Sequence, residues 1–544
     1  MSLVQRLARP AILALPPVDI AGPPLAGTVR LDANENPYTP LVQGQPGINR
    51  YPDPQPEALR RRMADLYGVA IDQLWVTRGS DDAIDLLIRT FCEAGLDKVG
   101  IVEPTFTAYA QFTQIQGAEV VSAGLGDKFD FDAGAVIATM RPAQPKLLFL
   151  CTPNNPTGSP VAPVEVRRIA AALPDTIVVA DEAYGEFSEA PSMATECALL
   201  DNLVVLRTLS KAYGLAGARI GCAIGPPEVI ALIARVSPPY PLPVPSIAAA
   251  LDALGPERMP IHRRRIATLL EQRAIIAAQL HGVDEIRSVR EGGNFLFLEV
   301  DDAADLAQRL AAAAVRVRFR PGAAPGAVRV TIGTPEENAA LLAVFGIAAS
   351  PPTRRADVIR DTRETRIALS LDLDRSAASE IDSGIPFYDH MLDQVATHGG
   401  FGLTLACTGD VEIDPHHSIE DIAIALGTAL RQALGDKRGI GRFGFALPMD
   451  ETEAQVLIDL SGRPFAKFEG SFDSPAVGDL PTQMVPHIFR SLADSMGAAI
   501  HVRVSGDNDH HKIEACFKAF GRALRQGLSI EGTSGALPST KGML

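Results

Sequence analysis

The stretch that decides the fold is residues 208–221, which read TLSKAYGLAGARIG. A single lysine, Lys211, stands between Ser210 and a glycine-spaced loop, and Arg219 follows eight positions later. The loop glycines let the backbone pass close to a flat ligand. A hydroxyl and a planar guanidinium suit a phosphate, and a lysine kept near neutrality can form a Schiff base. The stretch predicts a lysine that reacts with a flat, phosphorylated carbonyl compound; the alternative is an ordinary lysine in an exposed loop.

Apolar strands that alternate with helices surround this stretch. The segments 145–158, 176–187 and 202–214 each read as a buried strand with polar side chains toward its end: Asn155, then Asp181 and Tyr184, then Lys211. Such alternation predicts a mostly parallel sheet covered by helices on both faces. Ligands of these sheets bind beyond the carboxyl ends of the strands, so we expect these side chains to share one site.

Length and composition restrict the class of protein. A chain of 544 residues is too long for one core, so two or more domains are expected. The net charge of −15 argues against nucleic acid or an anionic membrane surface as a partner. Six scattered cysteines without a CxxC pair indicate reduced thiols and a cytoplasmic protein. No apolar run reaches membrane-spanning length, and Pro16 and Pro17 interrupt the first one, so a signal peptide is not expected.

Five motifs carry a resemblance to a known family. RYPDPQ, TRGSDD, NNPTG, DEAYGEF and SKAYGLAGARIG together resemble the fold-type-I aminotransferases, and histidinol-phosphate aminotransferase in particular, over about residues 5–347. The resemblance implies an α/β fold with a small α+β domain, pyridoxal 5'-phosphate as cofactor and a dimer. We expect this domain over 1–348, with a large part at about 45–245 and a small part from the N-terminal segment and about 246–348.

The same resemblance implies roles for individual residues. Lys211 would bind the cofactor and later shuttle a proton, and Asp181 would pair with the ring nitrogen and keep it protonated. The remaining cofactor contacts would come from Asn155 and Tyr184 at the phenolic oxygen, Ser80, Asp81, Ser210 and Arg219 at the phosphate, Phe106 on the ring face, and Tyr51 reaching across from a second subunit.

Two arginines are expected to bind the anionic end of the substrate. Residues 311–338 read as two strands that carry Arg318 and Arg329, and in the family's pattern these positions bind the substrate anion. The alternative is exposed strand arginines. The family commonly has Leu-x-Pro-Tyr near the start, whereas this chain has LPPV at 15–18, so the pattern supplies no substrate-contacting tyrosine there. A transaminase of other specificity, or a decarboxylase of similar sequence, remains an alternative.

The last third of the chain is a duplication. HHSIEDIAIALGTALRQAL at 416–434 matches HHKIEACFKAFGRALRQGL at 510–528 with an offset of 94 residues. Upstream, DHMLDQVA at 389–396 matches PHIFRSLA at 486–493 with an offset of 97. The three-residue difference falls in the loop before each His-His pair. The pattern predicts two copies of one unit, with a helix led by histidine, a strand, and a His-His-x-x-Glu helix.

Each copy offers four metal-ligand candidates of the same types. His416 and Glu420 lie on one helix face at i, i+4, whereas His417 lies about 100° round the helix. Neighbouring histidines so placed should serve two different ions, and some ligands should then come from neighbouring chains. Imidazole and carboxylate without sulfur fit Mn, Fe or Zn. The eight candidates are His390, His416, His417, Glu420, His487, His510, His511 and Glu514.

This module resembles imidazoleglycerol-phosphate dehydratase over about residues 357–544, after a linker at 349–356. The motifs are RETRIAL, FYDHMLDQVATHGGF, HHSIEDIAIALG, GIGRFG, DLSGRP, DNDHHKIEA and PSTKG. The resemblance implies an α+β fold, two Mn²⁺ ions per unit and assembly into a large shell. It further implies substrate-phosphate contacts from Arg442, Arg463, Ser539 and Lys541, and Glu364 near the reacting carbons.

The two resemblances point to consecutive reactions. Dehydration of imidazoleglycerol phosphate gives imidazole acetol phosphate, the ketone that a histidinol-phosphate aminotransferase aminates with glutamate. The sequence therefore predicts a bifunctional enzyme of histidine synthesis that carries the two steps in reverse order along the chain. The alternative for the second half is a metal-binding scaffold without catalysis.

Overall fold

The computed structural model describes residues 2–16, 48–322, 324–348, 354–375, 378–444, 447–530 and 538, without side chains at 447–449. Contacts divide the chain into two compact units. The first consists of Met1–Leu254 with Arg265–Ser350, and the second of Gly255–Arg264 with Pro351–Leu544. In the part of the chain that is described, no helix combines the length and apolar character needed to cross a membrane.

The first unit alternates helices and strands. Its helices are α1 (Leu3–Leu7), α2 (Pro10–Ala14), α3 (Glu57–Tyr67), α4 (Ser80–Phe91), α5 (Ala108–Gln116), α6 (Ala133–Ala143), α7 (Pro163–Ala172), α8 (Pro227–Val236), α9 (Val244–Ala253), α10 (Met259–Leu280, grouped with the second unit as far as Arg264), α11 (Ala303–Ala312) and α12 (Pro335–Ala343). Its strands are β1 (Leu74–Thr77), β2 (Lys98–Glu103), β3 (Glu119–Gly124), β4 (Leu147–Cys151), β5 (Ile177–Asp181), β6 (Leu203–Thr208), β7 (Gly221–Ile224), β8 (Ile286–Gly292), β9 (Phe295–Val300), β10 (Arg318–Phe319) and β11 (Ala327–Thr331).

Seven strands form the main sheet, in the order β1-β7-β6-β5-β4-β2-β3. Strands β2 to β6 run parallel, and β7 pairs antiparallel with both β6 and β1. Every residue of β4, β5 and β6 is buried, as the continuous apolar runs predict for a sheet covered on both faces. The mostly parallel α/β sheet expected from the sequence is confirmed.

A buried ion network holds the strand that leads to Lys211. Arg207, at 6% exposure, pairs with Glu182 at 2.7 Å and with Glu186 at 2.5 Å, and its guanidinium lies 4.8 Å from the ring centre of Tyr67. Removing one partner of such a buried network leaves an uncompensated charge and costs about 3–5 kcal/mol. The network therefore fixes the ends of β5 and β6 against each other, where Asp181 is the last residue of β5 and Lys211 follows β6.

A second sheet of the first unit has the order β10-β11-β9-β8. Its core contains Leu296, Leu298 and Val328, packed against α11 and α12. Arg318 of β10 is the register partner of Arg329 of β11, so both side chains stand on the same face of this sheet.

The second unit repeats one arrangement of strands. Its elements are β12 (Arg355–Asp361), β13 (Thr365–Asp372), β14 (Glu380–Asp382), α13 (Pro386–Gly399), β15 (Gly402–Gly409), α14 (His416–Leu434), β16 (Phe443–Gly444), β17 (Leu447–Met449), β18 (Thr452–Asp459), β19 (Phe465–Glu469), β20 (Ala476–Val477), β21 (Leu480–Pro481), α15 (Met484–Met496), β22 (Ala499–Ser505) and α16 (Asp509–Leu528). One sheet has the order β12-β13-β15-β14, and the other has β16-β18-β22-β19 with β17 also on β18.

The topology shows the duplication directly. In each copy the last strand pairs antiparallel with a long central strand and parallel with a short one. The copies interlock through their helices, because α14 packs on α15 and α13 packs on α16. Tyr388, Phe489, Phe517 and Phe520 fill the shared core. His390 and His487 lie one turn inside α13 and α15 rather than at their first residue, because Pro386 and Met484 begin those helices.

Ten residues from the middle of the chain complete the second unit. Arg258, which is 5% exposed, pairs with Asp361 at 2.5 Å. Arg264 donates to the Thr404 hydroxyl at 3.0 Å. These contacts lie on β12 and β15, so residues 255–264 contribute to the stability of the duplicated unit. No sequence pattern had indicated this contribution.

Candidate active site and candidate metal centres

An anion cradle forms where β1 passes into α4. Gly79 has φ +79°, and a Cβ there would lie 2.5 Å from the guanidinium of Arg219. Arg219 itself adopts a left-handed φ of 56° and directs its nitrogens to Asp81 at 3.0 Å and Ser210 at 3.4 Å. The start of α4 at Ser80 adds free backbone N–H groups and the positive end of the helix dipole. These donors converge as a phosphate would require.

A cavity of about 330 Å³ lies beside this cradle. Side chains from the ends of β4, β5 and β6 and from the second sheet of the first unit line it. Tyr51 is not among the lining residues, because its ring stacks on Tyr240 with centroids 4.4 Å apart. The structure brings together the other residues expected at a cofactor and substrate site: Ser80, Asp81, Phe106, Asn155, Asp181, Tyr184, Ser210, Lys211, Arg219, Arg318 and Arg329.

Asp181 is a buried carboxyl, 3% exposed, with two donors. Tyr109 donates its hydroxyl at 2.6 Å and the Ala183 N–H donates at 3.1 Å. Burial raises the pKa of Asp181 to about 6, although both hydrogen bonds act in the opposite direction. A cationic group of a ligand would stabilise the ionised carboxylate, so the site suits a protonated ring nitrogen.

Lys211 points into the cavity, with its Nζ 5.6 Å from the ring centre of Tyr184. The protein around it lowers its pKa, chiefly by desolvation and next by the positive charge of Arg329. A depressed pKa increases the fraction of neutral amine that can attack a carbonyl carbon. The arrangement therefore fits the aldehyde of pyridoxal phosphate.

Three arginines line the cavity, from β10, from β11 and from the residue that follows β10. Arg329 hydrogen-bonds the Asn155 side-chain oxygen and lies 5.2 Å from the ring centre of Phe295. Arg318 stands beside it in register, and Arg320, two positions further along, also lines the cavity. Arg320 donates to the Thr107 hydroxyl at 3.0 Å. This cluster provides fixed positive charge for an anionic substrate.

The first candidate metal centre joins the two copies of the second unit. His416 and Glu420 come from α14 and His487 from α15, and one ligand atom of each lies within 4.8 Å of the others. The Glu420 carboxylate is 3.7 Å from His416 Nε2 and 3.2 Å from His487 Nε2. In the described part of the chain the buried Nε2 of His487 makes no hydrogen bond. An ion here would satisfy that nitrogen, so the donor set fits a metal.

The second candidate centre is the duplicate of the first. Glu514 of α16 lies 3.6 Å from His510 Nε2 and 3.9 Å from His390 Nε2, and His390 comes from α13. Lys518 adds a feature with no counterpart in the first centre, since its Nζ pairs with Glu514 at 2.8 Å and Ile424 occupies the matching position. Each centre thus takes a histidine and a glutamate from one copy and a histidine from the other.

The second histidine of each pair turns away from these groups. The rings of His416 and His417 are inclined at 76°, and those of His510 and His511 at 86°. His417 Nδ1 lies 3.1 Å from Asp410, and His511 Nδ1 lies 2.9 Å from Glu451. Each carboxylate raises the pKa of its histidine. The divergence expected from helical spacing is present.

The residues expected at a substrate phosphate are placed only in part. Arg442 pairs with Asp459 at 2.7 Å and donates to the carbonyl of Pro538 at 2.9 Å. Arg463 is exposed in the loop after β18. Ser539 and Lys541 lie outside the described residues. Glu364 is exposed and close enough to His417 to raise the pKa of that imidazole.

Several side chains at these sites were not predicted from the sequence. Tyr109 is the second residue of α5, and its hydroxyl reaches Asp181. Arg320 could have been found from its i+2 spacing to Arg318. Glu451 could have been found from a repeat, since Glu364 and Glu451 each stand directly before the threonine that begins the central strand of one copy.

Two family models match the chain. Residues 28–345 match "Aminotransferase class I and II", and residues 383–524 match "Imidazoleglycerol-phosphate dehydratase". The "Histidine biosynthesis bifunctional protein HisB" of Stenotrophomonas maltophilia (strain K279a) is 59% identical over 197 residues, which are 36% of this chain and 55% of that protein. The protein of that name from Actinobacillus pleuropneumoniae serotype 3 is 54% identical over 197 residues, 36% of this chain and 54% of that protein. The chain thus spans about half the length of these curated relatives.

Solved structures match both parts. The histidinol-phosphate aminotransferase of Sinorhizobium meliloti, solved with pyridoxal 5'-phosphate, aligns with TM-score 0.50 and 23% identity over 55% of this chain and 83% of that one. The imidazoleglycerol-phosphate dehydratase of Staphylococcus aureus is 35% identical over 32% of this chain and 99% of that one, with TM-score 0.30. The chain belongs to the class I and II aminotransferase family and carries an imidazoleglycerol-phosphate dehydratase domain at its C-terminal end.

Proposed function

We propose that the chain is a bifunctional enzyme of histidine synthesis. Its C-terminal half dehydrates imidazoleglycerol phosphate to imidazole acetol phosphate, and its N-terminal half transaminates that ketone with glutamate to histidinol phosphate. The observation that supports this most is the presence in one chain of a lysine–aspartate–arginine cavity and of paired histidine–glutamate groups. The product of the family-typical dehydration and the substrate of the family-typical transamination are the same ketone.

The cavity residues support pyridoxal phosphate as the cofactor of the first half. When bound, that cofactor supplies an electrophilic carbon and an electron-withdrawing ring. Asp181 would hold the protonated ring nitrogen, and Lys211 would bind the aldehyde and carry a proton between carbon atoms. Asn155 and Tyr184 would hold the phenolic oxygen, while Phe106 would cover the ring. The phosphate would be held by the α4 N-terminus with Ser80, Asp81, Ser210 and Arg219.

The arginines of the second sheet would orient the substrate. Arg318 and Arg329 stand side by side over the cavity and would bind the phosphate of the ketone or a carboxylate of glutamate. Planar guanidinium groups bind such anions with two parallel hydrogen bonds. This positioning would direct the reacting carbon toward Lys211.

The paired histidine–glutamate groups support a metal-dependent dehydratase. We propose Mn²⁺, two ions per chain, one held by His416, Glu420 and His487 and the other by His390, His510 and Glu514. When bound, such an ion lowers the pKa of a coordinated imidazole ring and neutralises a leaving oxygen. Glu364 would lie near the reacting carbons, and Arg442, Arg463, Ser539 and Lys541 would hold the substrate phosphate.

Assembly and location follow from the same features. His417 and His511 would complete the centres of neighbouring chains, which favours a closed shell of dehydratase units. The aminotransferase half would form a dimer in which Tyr51 reaches the partner's cofactor. The six cysteines are all free, and five of them are buried, which supports a cytoplasmic location.

One reaction mixture tests the proposal. Purified protein with imidazoleglycerol phosphate, glutamate and Mn²⁺ should yield histidinol phosphate. With Lys211→Ala the reaction should stop at the ketone, and with His416→Ala it should stop before the ketone is formed. His281→Ala, outside both sites, should change neither step.

The alternatives predict other outcomes. A metal-binding scaffold would bind Mn²⁺ and leave imidazoleglycerol phosphate unchanged. A decarboxylase would release carbon dioxide from an amino acid and would not interconvert histidinol phosphate and 2-oxoglutarate with the ketone and glutamate. Either result would remove the corresponding half of the proposal.

A further inference from the structure

The second histidine of each pair, His417 in the first copy and His511 in the second, contacts a carboxylate. The two carboxylates come from different places in the two copies. In the first copy His417 Nδ1 lies 3.1 and 3.3 Å from the two oxygens of Asp410, in the loop after β15. In the second copy His511 Nδ1 lies 2.9 and 3.1 Å from the two oxygens of Glu451, just before β18. The same contact has two unrelated sequence origins.

Loop length explains the difference. Asp410 precedes His417 by seven residues, so its loop can fold back over the ring. Its counterpart in the second Gly-Asp, Asp507, precedes His511 by only four, because this loop is three residues shorter. The shorter connection leads directly into α16, and the Glu451 carboxylate, from the turn between β17 and β18, takes the position beside the ring.

Glu451 is the duplicate of Glu364. Each stands directly before a threonine that is 1% exposed, Thr365 or Thr452, and each threonine begins the eight-residue central strand of its copy. In the first copy His417 contacts the Asp410 carboxylate, and within the described residues the Glu364 carboxylate makes no hydrogen bond. In the second copy Glu451 is engaged by His511. The duplicated glutamate position therefore has different contacts in the two copies: Glu451 contacts a histidine, and Glu364 does not.

The contact fixes which ring nitrogen can bind a metal. An ionised carboxylate can only accept hydrogen bonds, so the nitrogen that faces it must carry the proton. Nδ1 of His417 and of His511 then donates, and the lone pair is left on Nε2, which points away from the carboxylate. Metal-binding histidines are commonly oriented and made more basic by such a partner.

We propose that Asp410 and Glu451 are positioning residues that set the tautomer and orientation of His417 and His511 for metal binding through Nε2, while Glu364 is left free for the substrate. This inference rests on the proposed dehydratase function. It assigns Glu451 a part in a metal centre even though Glu451 lies sixty residues from the histidine pair that it serves.

Titration of the metal-free full-length protein with Mn²⁺, followed by electron paramagnetic resonance, tests this. Wild-type protein should bind two ions per chain. Glu451→Gln and Asp410→Asn should each weaken one class of sites by about 10–100-fold and leave the other class unchanged. Glu451→Asp should keep more of the affinity than Glu451→Gln. Glu453→Gln on β18 and Glu412→Gln in the Asp410 loop, both exposed, are the matched controls and should bind as the wild type does.

The outcomes distinguish failure of the positioning role of Asp410 and Glu451 from failure of the proposed dehydratase function. If the wild type binds no Mn²⁺, the dehydratase proposal fails with the inference. If it binds two ions and both amide variants match their controls, the inference alone is overturned. A third ion in the wild type that Glu451→Gln removes would also overturn it, because Asp450, Glu451 and His511 would then chelate directly. If the metal-free variants unfold at the wild-type temperature, a merely structural effect is excluded. If Glu451→Gln does not fold, the affinity of Asp410→Asn tests the inference.

Discussion

Tyr109 donates its phenolic hydrogen to the buried carboxyl of Asp181 at 2.6 Å. The tyrosine is itself fully buried, and its ring stacks on Phe149 with centroids 4.8 Å apart. Because its position is fixed by packing, the hydrogen bond is pre-organised and counteracts the burial that raises the pKa of Asp181. The contact therefore supports the ionised form that a protonated cofactor ring would need.

Tyr109→Phe should weaken cofactor binding and slow transamination. A hydrogen bond to a charged group contributes about 1.5–3 kcal/mol, so we expect an increase of about 10–100-fold in the dissociation constant of pyridoxal phosphate. Absorbance titration of the cofactor-free protein measures it. Tyr67→Phe is the matched control, since the buried Tyr67 hydroxyl has no hydrogen-bond partner among the described residues. Equal affinities for the two variants would show that Tyr109 only fills space.

The stability of the cofactor-free first unit should fall as the pH rises from about 4 through 6. The pKa of Asp181 is about 6 in the folded chain and about 3.8 for an ordinary aspartate in the unfolded chain, so the folded state binds the proton more tightly. The stabilisation is present below the unfolded pKa and is lost as pH rises through the folded one, by up to about 3 kcal/mol. Denaturant unfolding of wild type and Asp181→Asn measures the effect. A wild-type decline identical to that of the asparagine variant would exclude Asp181 as its source.

The sequence predicted the architecture of both units because their signals are local. Continuous apolar runs identified the buried strands β4, β5 and β6, and the polar residues after them meet at one edge of the sheet. The duplication identified the metal-ligand candidates, and helical spacing predicted the divergence of His416 and His417. Neither inference needed knowledge of long-range contacts.

The missing parts depend on contacts that the sequence does not encode locally. Tyr109 reaches Asp181 across 72 positions, and Glu451 reaches His511 across 60. The pairing of His487 with Glu420 follows from the packing of α14 on α15, which periodicity alone cannot specify. The contribution of residues 255–264 to the second unit is of the same kind.

Arg320→Gln should raise the Michaelis constant for the phosphorylated ketone and leave cofactor affinity unchanged. Arg320 lines the same cavity as Arg318, and loss of one charge-assisted hydrogen bond should cost about 1.5–3 kcal/mol, or about 10–100-fold. Steady-state transamination kinetics measure it. Arg316→Gln, an exposed arginine on the same segment that does not line the cavity, is the control. If both variants have the wild-type constant, Arg320 does not contact the substrate.

Arg442→Ala should weaken substrate binding in dehydration and spare transamination. Asp459 fixes the guanidinium, which also donates to the Pro538 carbonyl, so the substitution removes a charge and the contact to Pro538. We expect the Michaelis constant for imidazoleglycerol phosphate to rise at least about 10-fold. Arg438→Ala, an exposed arginine of the same loop paired with Asp436, should change little. A wild-type constant for Arg442→Ala would place the phosphate elsewhere.

Removal of metal should dissociate the assembly and stop dehydration. Within one chain each candidate centre gathers two histidines and one glutamate, whereas His417 and His511 face away from these groups. If neighbouring chains supply those histidines, metal binding and association are thermodynamically linked, and a chelator must shift the population toward a smaller species, a trimer or a dimer. Transamination should survive, because its cofactor needs no metal. Light scattering with both assays, before chelation, after it and after return of Mn²⁺, measures the linkage. A particle of unchanged mass that has lost both its metal and its dehydratase activity would refute the inter-chain ligands and leave the catalytic role of the metal intact.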